Sequence, residues 1–261
     1  MDEEDLFEEA GTPLSVIAEA FEELSNSIST SSDDLLLGPL TNACSLVSVL
    51  FGYLGIAFKF AELEYVCKVC FHFFPIHRNC TRDCSQPFED EPEDIAVYND
   101  PDALTKLKWM IKVKTDWRHK VRDLAAASKT YDTLKNILDH DLENDTVRKP
   151  GSLSRNLRRV RQGLELIRAL FEQFLSSDEC SLREAASTAY AQACAPYHTW
   201  AIRTAVFAAM YALPTREQLL LKLNETDHSA EKEMRRYINA SLPVIEYIDN
   251  LYISRNIGLD W

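Results

Sequence analysis

From Leu157 to Phe174 apolar residues recur at three- and four-residue steps: Leu157, Val160, Leu164, Ile167, Phe171 and Phe174, with Leu170 and Leu175 widening the stripe. A period near 3.6 sustained over that length marks an amphipathic helix with one face in a core. Gly151, Ser152 and Ser154 supply small and capping residue types at its start. The other face of the segment is cationic. Six basic residues and no acidic one lie between Arg148 and Arg161, in a chain whose net charge is -13. Positive charge concentrated against that background points to a built anion site. Arg155 and Arg159 are four apart, so a helix sets both guanidinium forks on one side, where they can grip a phosphate through charge-assisted hydrogen bonds. Arg158 and Arg161 point elsewhere. A phosphate near the first turn would also meet free backbone N–H groups.

The remaining pattern is helical too. The chain has 261 residues, 46% of them hydrophobic, enough for a substantial core, and only seven glycines. Few runs alternate with the period of a strand, which argues for an all-α fold. One small cationic patch on an acidic chain suits a single phosphate and not a polyanion, so nucleic acid is excluded as a partner. Six acids among the first nine residues are incompatible with a basic signal or transit sequence, and the expectation is a cytosolic protein. Seven cysteines without a signal peptide read as free thiols. Residues 35–58 carry no charge and are long enough to span a bilayer. Gly38-Pro39, the interspersed Thr41, Asn42, Ser45 and Ser48, and the acidic flank Asp33-Asp34 favour a buried core helix instead.

Residues 1–11 form an acidic tail, and a domain extends from 12 to 261. Thr12-Pro13 begins a helix to about Ser27, and a long helix begins near Leu40 and runs past Lys68. Its stripe of Leu50, Leu54, Ala57 and Ala61 continues at the same angle into Glu64 and Lys68. An apolar groove that ends in a carboxylate and an ammonium has the form of a lipid site. From about 70 to 121 prolines, cysteines, aromatics and the acidic run FEDEPEDIAVYNDPD replace clean periodicity, and the segment reads as an insertion rich in loops. Helical patterning returns from Arg122 to Leu142, and again from about Ser181. Pro196 breaks the chain at APYHTW, leaving His198 and Trp200 at the bend. Thr215 caps a short helix, a last helix follows from Asp227 or Ser229 to about Leu251, and Trp261 is expected to dock.

The runs ACSLVSVLFGYLGIAFKFAE, VRKPGSLSRNLRRVRQGLELIRALFEQ, YAQACAPYHTWAIR, MYALPTR and YIDNLYISRNIGLDW resemble the glycolipid transfer protein superfamily, in its ceramide-1-phosphate branch with the plant accelerated-cell-death members. The likeness covers about residues 13–69 and 122–261. It implies a two-layer all-α sandwich of about eight helices that holds one sphingolipid, chains inside and head group at the surface. It also implies transfer of ceramide-1-phosphate or phytoceramide-1-phosphate, no cofactor, no enzymatic turnover and transient contact with membrane surfaces. By the same resemblance Lys68, Arg155 and Arg159 take the phosphate, while Glu64 and His198 meet the ceramide amide. Sugar-binding members carry Trp at the position of Arg155, so arginine there implies phosphate.

Two departures stand out. Glu64 replaces the usual Asp and displaces its carboxylate by about an ångström, a large step for a hydrogen bond. The insertion of about fifty residues follows Glu64 and Lys68 directly and could loosen the head-group site, which gives a rival reading: an interaction or lipid-sensing protein with impaired transfer. Within this region Cys67, Cys70, Cys80 and Cys84 have a spacing that resembles a zinc site, although Cys67 lies on the helix the family shares. An enzymatic role with Glu64 and His198 as acid and base finds no nucleophile motif, H-E-x-x-H or glycine-rich phosphate loop in the sequence. Neutral imidazole at His198 would serve the amide, so lipid uptake is expected to weaken below about pH 6.

Overall fold

A computed structural model describes residues 11–30, 34–54, 117–177 and 180–261. Among the described residues are nine α-helices: α1 (Pro13–Thr30), α2 (Leu37–Leu54), α3 (Trp117–Ala127), α4 (Leu134–Glu143), α5 (Leu153–Phe174), α6 (Leu182–Ala193), α7 (Trp200–Met210), α8 (Arg216–Lys222) and α9 (Asp227–Ile253). The architecture is the all-α sandwich expected from the sequence. No strand occurs among the described residues beyond one isolated bridge, Leu36 with Thr133.

Most helix starts carry their cap in the sequence. Thr133, Ser181, Thr215 and Thr226 each accept a bond from the backbone N–H three residues on, and each is matched by a returning side chain in a capping box. Pro13 opens α1, where its missing N–H costs nothing, and Ser15 N donates to Thr12 Oγ1 at 3.3 Å. Pro196 lies in a 3-10 turn, Ala195–Tyr197, which ends α6 and redirects the chain into α7. Pro243 sits inside α9 and removes one internal bond, yet the helix runs through it, anchored by the buried Ala240 and Ser241 before it and Val244 and Ile245 after it.

The arginine helix α5 is the hub. It packs on α3, α4, α6 and α9, while α1 lies along α9 and α2, so that α1, α2, α3, α5 and α9 close around one core. The stripe read from the sequence, Leu157, Val160, Leu164, Ile167, Phe171 and Phe174, is buried in this core throughout. The helix α2 is long and apolar enough to cross a membrane by composition alone. Leu37, Leu40, Val47, Leu50 and Leu54 are all buried against its neighbours, as in a core helix. Cys44, Cys180 and Cys194 form no disulfide among the described residues.

The return of helical pattern expected at Arg122 begins earlier, at Trp117. Trp117 is 2% exposed, stacks on Phe51 with ring centroids 5.2 Å apart, and donates from Nε1 to Cys44 O at 3.3 Å. A Cβ at Gly163 of α5 would stand only 2.1 Å from its ring. The indole therefore lies flush on the arginine helix, so Trp117 to Val121 belong to the core and not to the inserted segment. The expected helix from 122 to 142 is two helices. The break falls where Leu37 N donates to Asp132 O at 2.8 Å and Leu134 N to Leu35 O at 3.1 Å, a pairing between distant loops.

Candidate functional site

The helix α5 begins at a tight turn. Gly151 takes φ +87°, a conformation that any side chain would strain, and Ser152 follows as the N-cap, its Oγ accepting from Arg155 N at 3.2 Å. The buried carboxylate of Asp141, reaching over from α4, accepts Ser154 N at 2.7 Å and Thr146 Oγ1 at 2.6 Å. Asn156 N donates to Ser152 O at 3.0 Å. This corrects one expectation. The amides of Ser154, Arg155 and Asn156 are occupied, and the nearby carboxylate disfavours a second anion, so these three backbone donors are not available to a phosphate. Anion binding here falls to side chains. The sequence gives no sign of this, because Asp141 is thirteen residues away.

Arg155 and Arg159 lie on one face of α5 and are half-buried, as their spacing requires. Arg155 Nη1 donates to Arg148 O at 2.5 Å, and Arg159 Nη1 to Gln162 Oε1 at 2.6 Å. A backbone carbonyl and a side-chain amide oxygen thus orient the two forks. The other two arginines of the cluster do point elsewhere. Arg161 forks onto Asp249 of α9, with Nε to Oδ1 at 2.8 Å. Arg158 is buried, donates from Nη2 to Leu259 O at 2.7 Å, and stands 5.3 Å from the centroid of the Tyr197 ring. Burial, reinforced by the charge of Arg161, pulls the Arg158 pKa below its ordinary value.

Tyr197 precedes His198, so Arg158 ties the arginine helix to the bend that carries the histidine. His198 is half-buried, and its Nδ1 lies 2.8 Å from the hydroxyl of Tyr190 on α6. Burial raises the Tyr190 pKa, so this hydroxyl keeps its proton. With the hydroxyl donating to Nδ1, the neutral ring carries its hydrogen on Nε2 and can offer it to a carbonyl. The structure thus brings the His198 bend against the arginine helix at Arg158. Glu64 and Lys68 lie outside the described residues, as do the zinc candidates Cys67, Cys70, Cys80 and Cys84.

Trp117 is core, whereas Trp200 is 57% exposed. Phe207 and Tyr211 are exposed as well and follow Trp200 at helical spacing on α7 and its cap, with Arg203 between them. A separate groove of about 500 Å3 opens between α1 and α2, lined by Leu24, Ile28, Leu35 and Leu46 with Glu23 and Asp34. It shares no residue with the cationic cluster.

The family model described as Glycolipid transfer protein (GLTP) matches residues 105–225. The ACD11 homolog protein of Arabidopsis thaliana is 50% identical over 274 aligned residues, spanning 100% of this chain and 97% of that protein. Accelerated cell death 11 of the same plant is 39% identical over 254 residues, spanning 97% and 98% of the two chains. A crystal structure of a mutant of Arabidopsis ACD11 complexed with C12 ceramide-1-phosphate is similar at a TM-score of 0.73 and 38% identity, covering 97% of this chain and 100% of that one.

Proposed function

The chain belongs to the glycolipid transfer protein family, and from that premise we propose that it is a carrier of ceramide-1-phosphate or its phytoceramide relative between membranes. Arg155 and Arg159, with Lys68, hold the phosphate. Glu64 accepts the amide N–H and His198 donates to the amide carbonyl. The acyl and sphingoid chains occupy an apolar interior. The observation that carries this reading is the pair of half-buried guanidinium groups on one face of α5, Arg155 oriented by Arg148 O and Arg159 by Gln162 Oε1. A relative of like length and fold that binds ceramide-1-phosphate supports the choice of ligand.

The mechanism is partition. One sixteen-carbon chain is worth on the order of 12 kcal/mol at about 0.8 kcal/mol per methylene, so a carrier must enclose it or leave it in the bilayer. The arginines then discriminate. Arginine suits the task because its planar fork meets two phosphate oxygens, while Lys68 adds a compact charge. Neither group acts as a nucleophile, and the lipid leaves as it came. The carrier works from the cytosol and docks transiently: Trp200, Phe207 and Tyr211 form an aromatic face beside the His198 bend that can enter a membrane interface, with Arg203 among the head groups.

A vesicle-to-vesicle assay with ceramide-1-phosphate and a glycosylceramide tests this reading. Transfer of the phosphorylated lipid alone is expected. Binding of ceramide-1-phosphate without transfer would favour the lipid-sensing alternative, and release of inorganic phosphate would favour an enzyme.

A further inference from the structure

Residues 257–261 fold back over the start of the arginine helix. Asn256 takes φ 56° and reverses the chain after α9, Ile257 N donates to Tyr252 O at 3.0 Å, and the Ile257 side chain is buried. Leu259 O receives the bond from Arg158. Trp261 then closes the turn, with Nε1 donating to Gly258 O at 2.6 Å and its ring edge-on to Tyr252 at 6.4 Å. The other face of this indole meets a cation: the Arg148 guanidinium carbon lies 5.4 Å from the ring centroid. Asp260 Oδ1 is 3.7 Å from Arg148 Nη2. Gly258 leaves the room, since a Cβ there would stand 2.9 Å from Asp260 Oδ1 and 3.8 Å from Arg148 Nη2. Arg148 is thus clamped by an aromatic face and a carboxylate. Its own carbonyl accepts Arg155 Nη1.

We propose that Trp261, assisted by Asp260, is a positioning residue of the head-group site. By clamping Arg148 it fixes the carbonyl that orients the Arg155 fork, and so sets phosphate affinity without touching the lipid. This rests on the reading of the chain as a phosphosphingolipid carrier. A long arginine side chain has many rotamers, and binding that must first select one loses affinity by the fraction in which it is populated. Trp261 holds that fraction high. A tryptophan that merely plugs the core would support every lipid equally, whereas one that orients Arg155 matters only for a phosphate.

The test uses the full chain as wild type, Trp261→Ala, Trp261→Phe and Arg148→Met, with capture of ceramide-1-phosphate and of ceramide with the same chains from phosphatidylcholine vesicles. Trp261→Ala and Arg148→Met are expected to lower capture of ceramide-1-phosphate about two- to fivefold, the range of one partly exposed cation–π contact, and to leave ceramide capture unchanged. Trp261→Phe, which keeps an aromatic face, restores most of the loss. Equal losses for the two lipids, no loss for either, or a phenylalanine no better than alanine would overturn the inference. Should Trp261→Ala fail to fold, Trp261→Phe and Arg148→Met decide between the same outcomes. A wild-type chain that captures no ceramide-1-phosphate overturns the functional reading itself and the inference with it.

Discussion

Two side chains four residues apart carry most of the specificity. Replacing Arg155 or Arg159 with alanine removes a charged hydrogen bond to phosphate, and the expected cost is about 1.5 to 3 kcal/mol of binding, read as a higher Kd for ceramide-1-phosphate. Arg158→Ala has a different signature. Its guanidinium bonds Leu259 O and stacks on Tyr197 inside the protein, so the variant should lose stability first, seen as a lower Tm. The histidine is tied to pH by its neighbour. Tyr190 keeps its proton and faces Nδ1, so protonating that nitrogen reverses the bond, makes the hydroxyl the acceptor and replaces the neutral ring with a cation. Lipid capture should therefore weaken below about pH 6. In Tyr190→Phe it should be weaker at neutral pH and flatter with pH; an unchanged profile in both proteins would remove His198 from the account. Helical periodicity made legible in the sequence that Arg155 and Arg159 share a face and that Arg158 and Arg161 leave it. Their destinations, Leu259 O and Asp249, lie about a hundred residues away and could not be read.

At the scale of elements, the packing of α3 on α5 depends on one close approach. Alanine is the better helix former, yet at Gly163 its Cβ would overlap the Trp117 ring, which is itself wedged against Phe51 and bonded to Cys44. Gly163→Ala should destabilise by about 1 to 3 kcal/mol, as overpacking does, and Trp117→Ala by about 3 to 5 kcal/mol through a cavity. Chemical denaturation measures both, and a neutral Gly163→Ala would mean that the two helices can part without loss. Such a contact explains why Trp117 was misplaced on sequence alone. Its partner is a glycine far along the chain, which no local pattern reveals. The stripe of α5 and the threonine and serine caps were legible because each is a local matter of spacing and hydrogen-bond geometry. The break between α3 and α4 was not, since it is set by the pairing of Leu36 with Thr133.

The whole molecule is acidic, and two of its carboxylates tie helices together. A hydrogen bond from Arg236 holds the Glu22 carboxyl below its usual range, joining α9 to α1, and one from Arg255 does the same for Asp139, joining the end of α9 to α4. A carboxyl with a lowered folded pKa contributes fully above its unfolded value, near 4, and loses that contribution as the pH falls through the folded one. The Tm should thus stay level from about pH 7 to pH 5 and drop below about pH 4, with a shallower drop in Glu22→Gln. The same acidity isolates the arginine cluster as the place where a phosphate is welcome. The central claim, that this cluster selects the cargo, is tested most directly by the ratio of ceramide-1-phosphate to glycosylceramide transfer in wild type and in the Arg155→Ala, Arg159→Ala double variant. A high ratio that collapses in the double variant while its helical content is kept is the predicted result; a ratio near one in wild type, or one that survives the loss of both arginines, would contradict it.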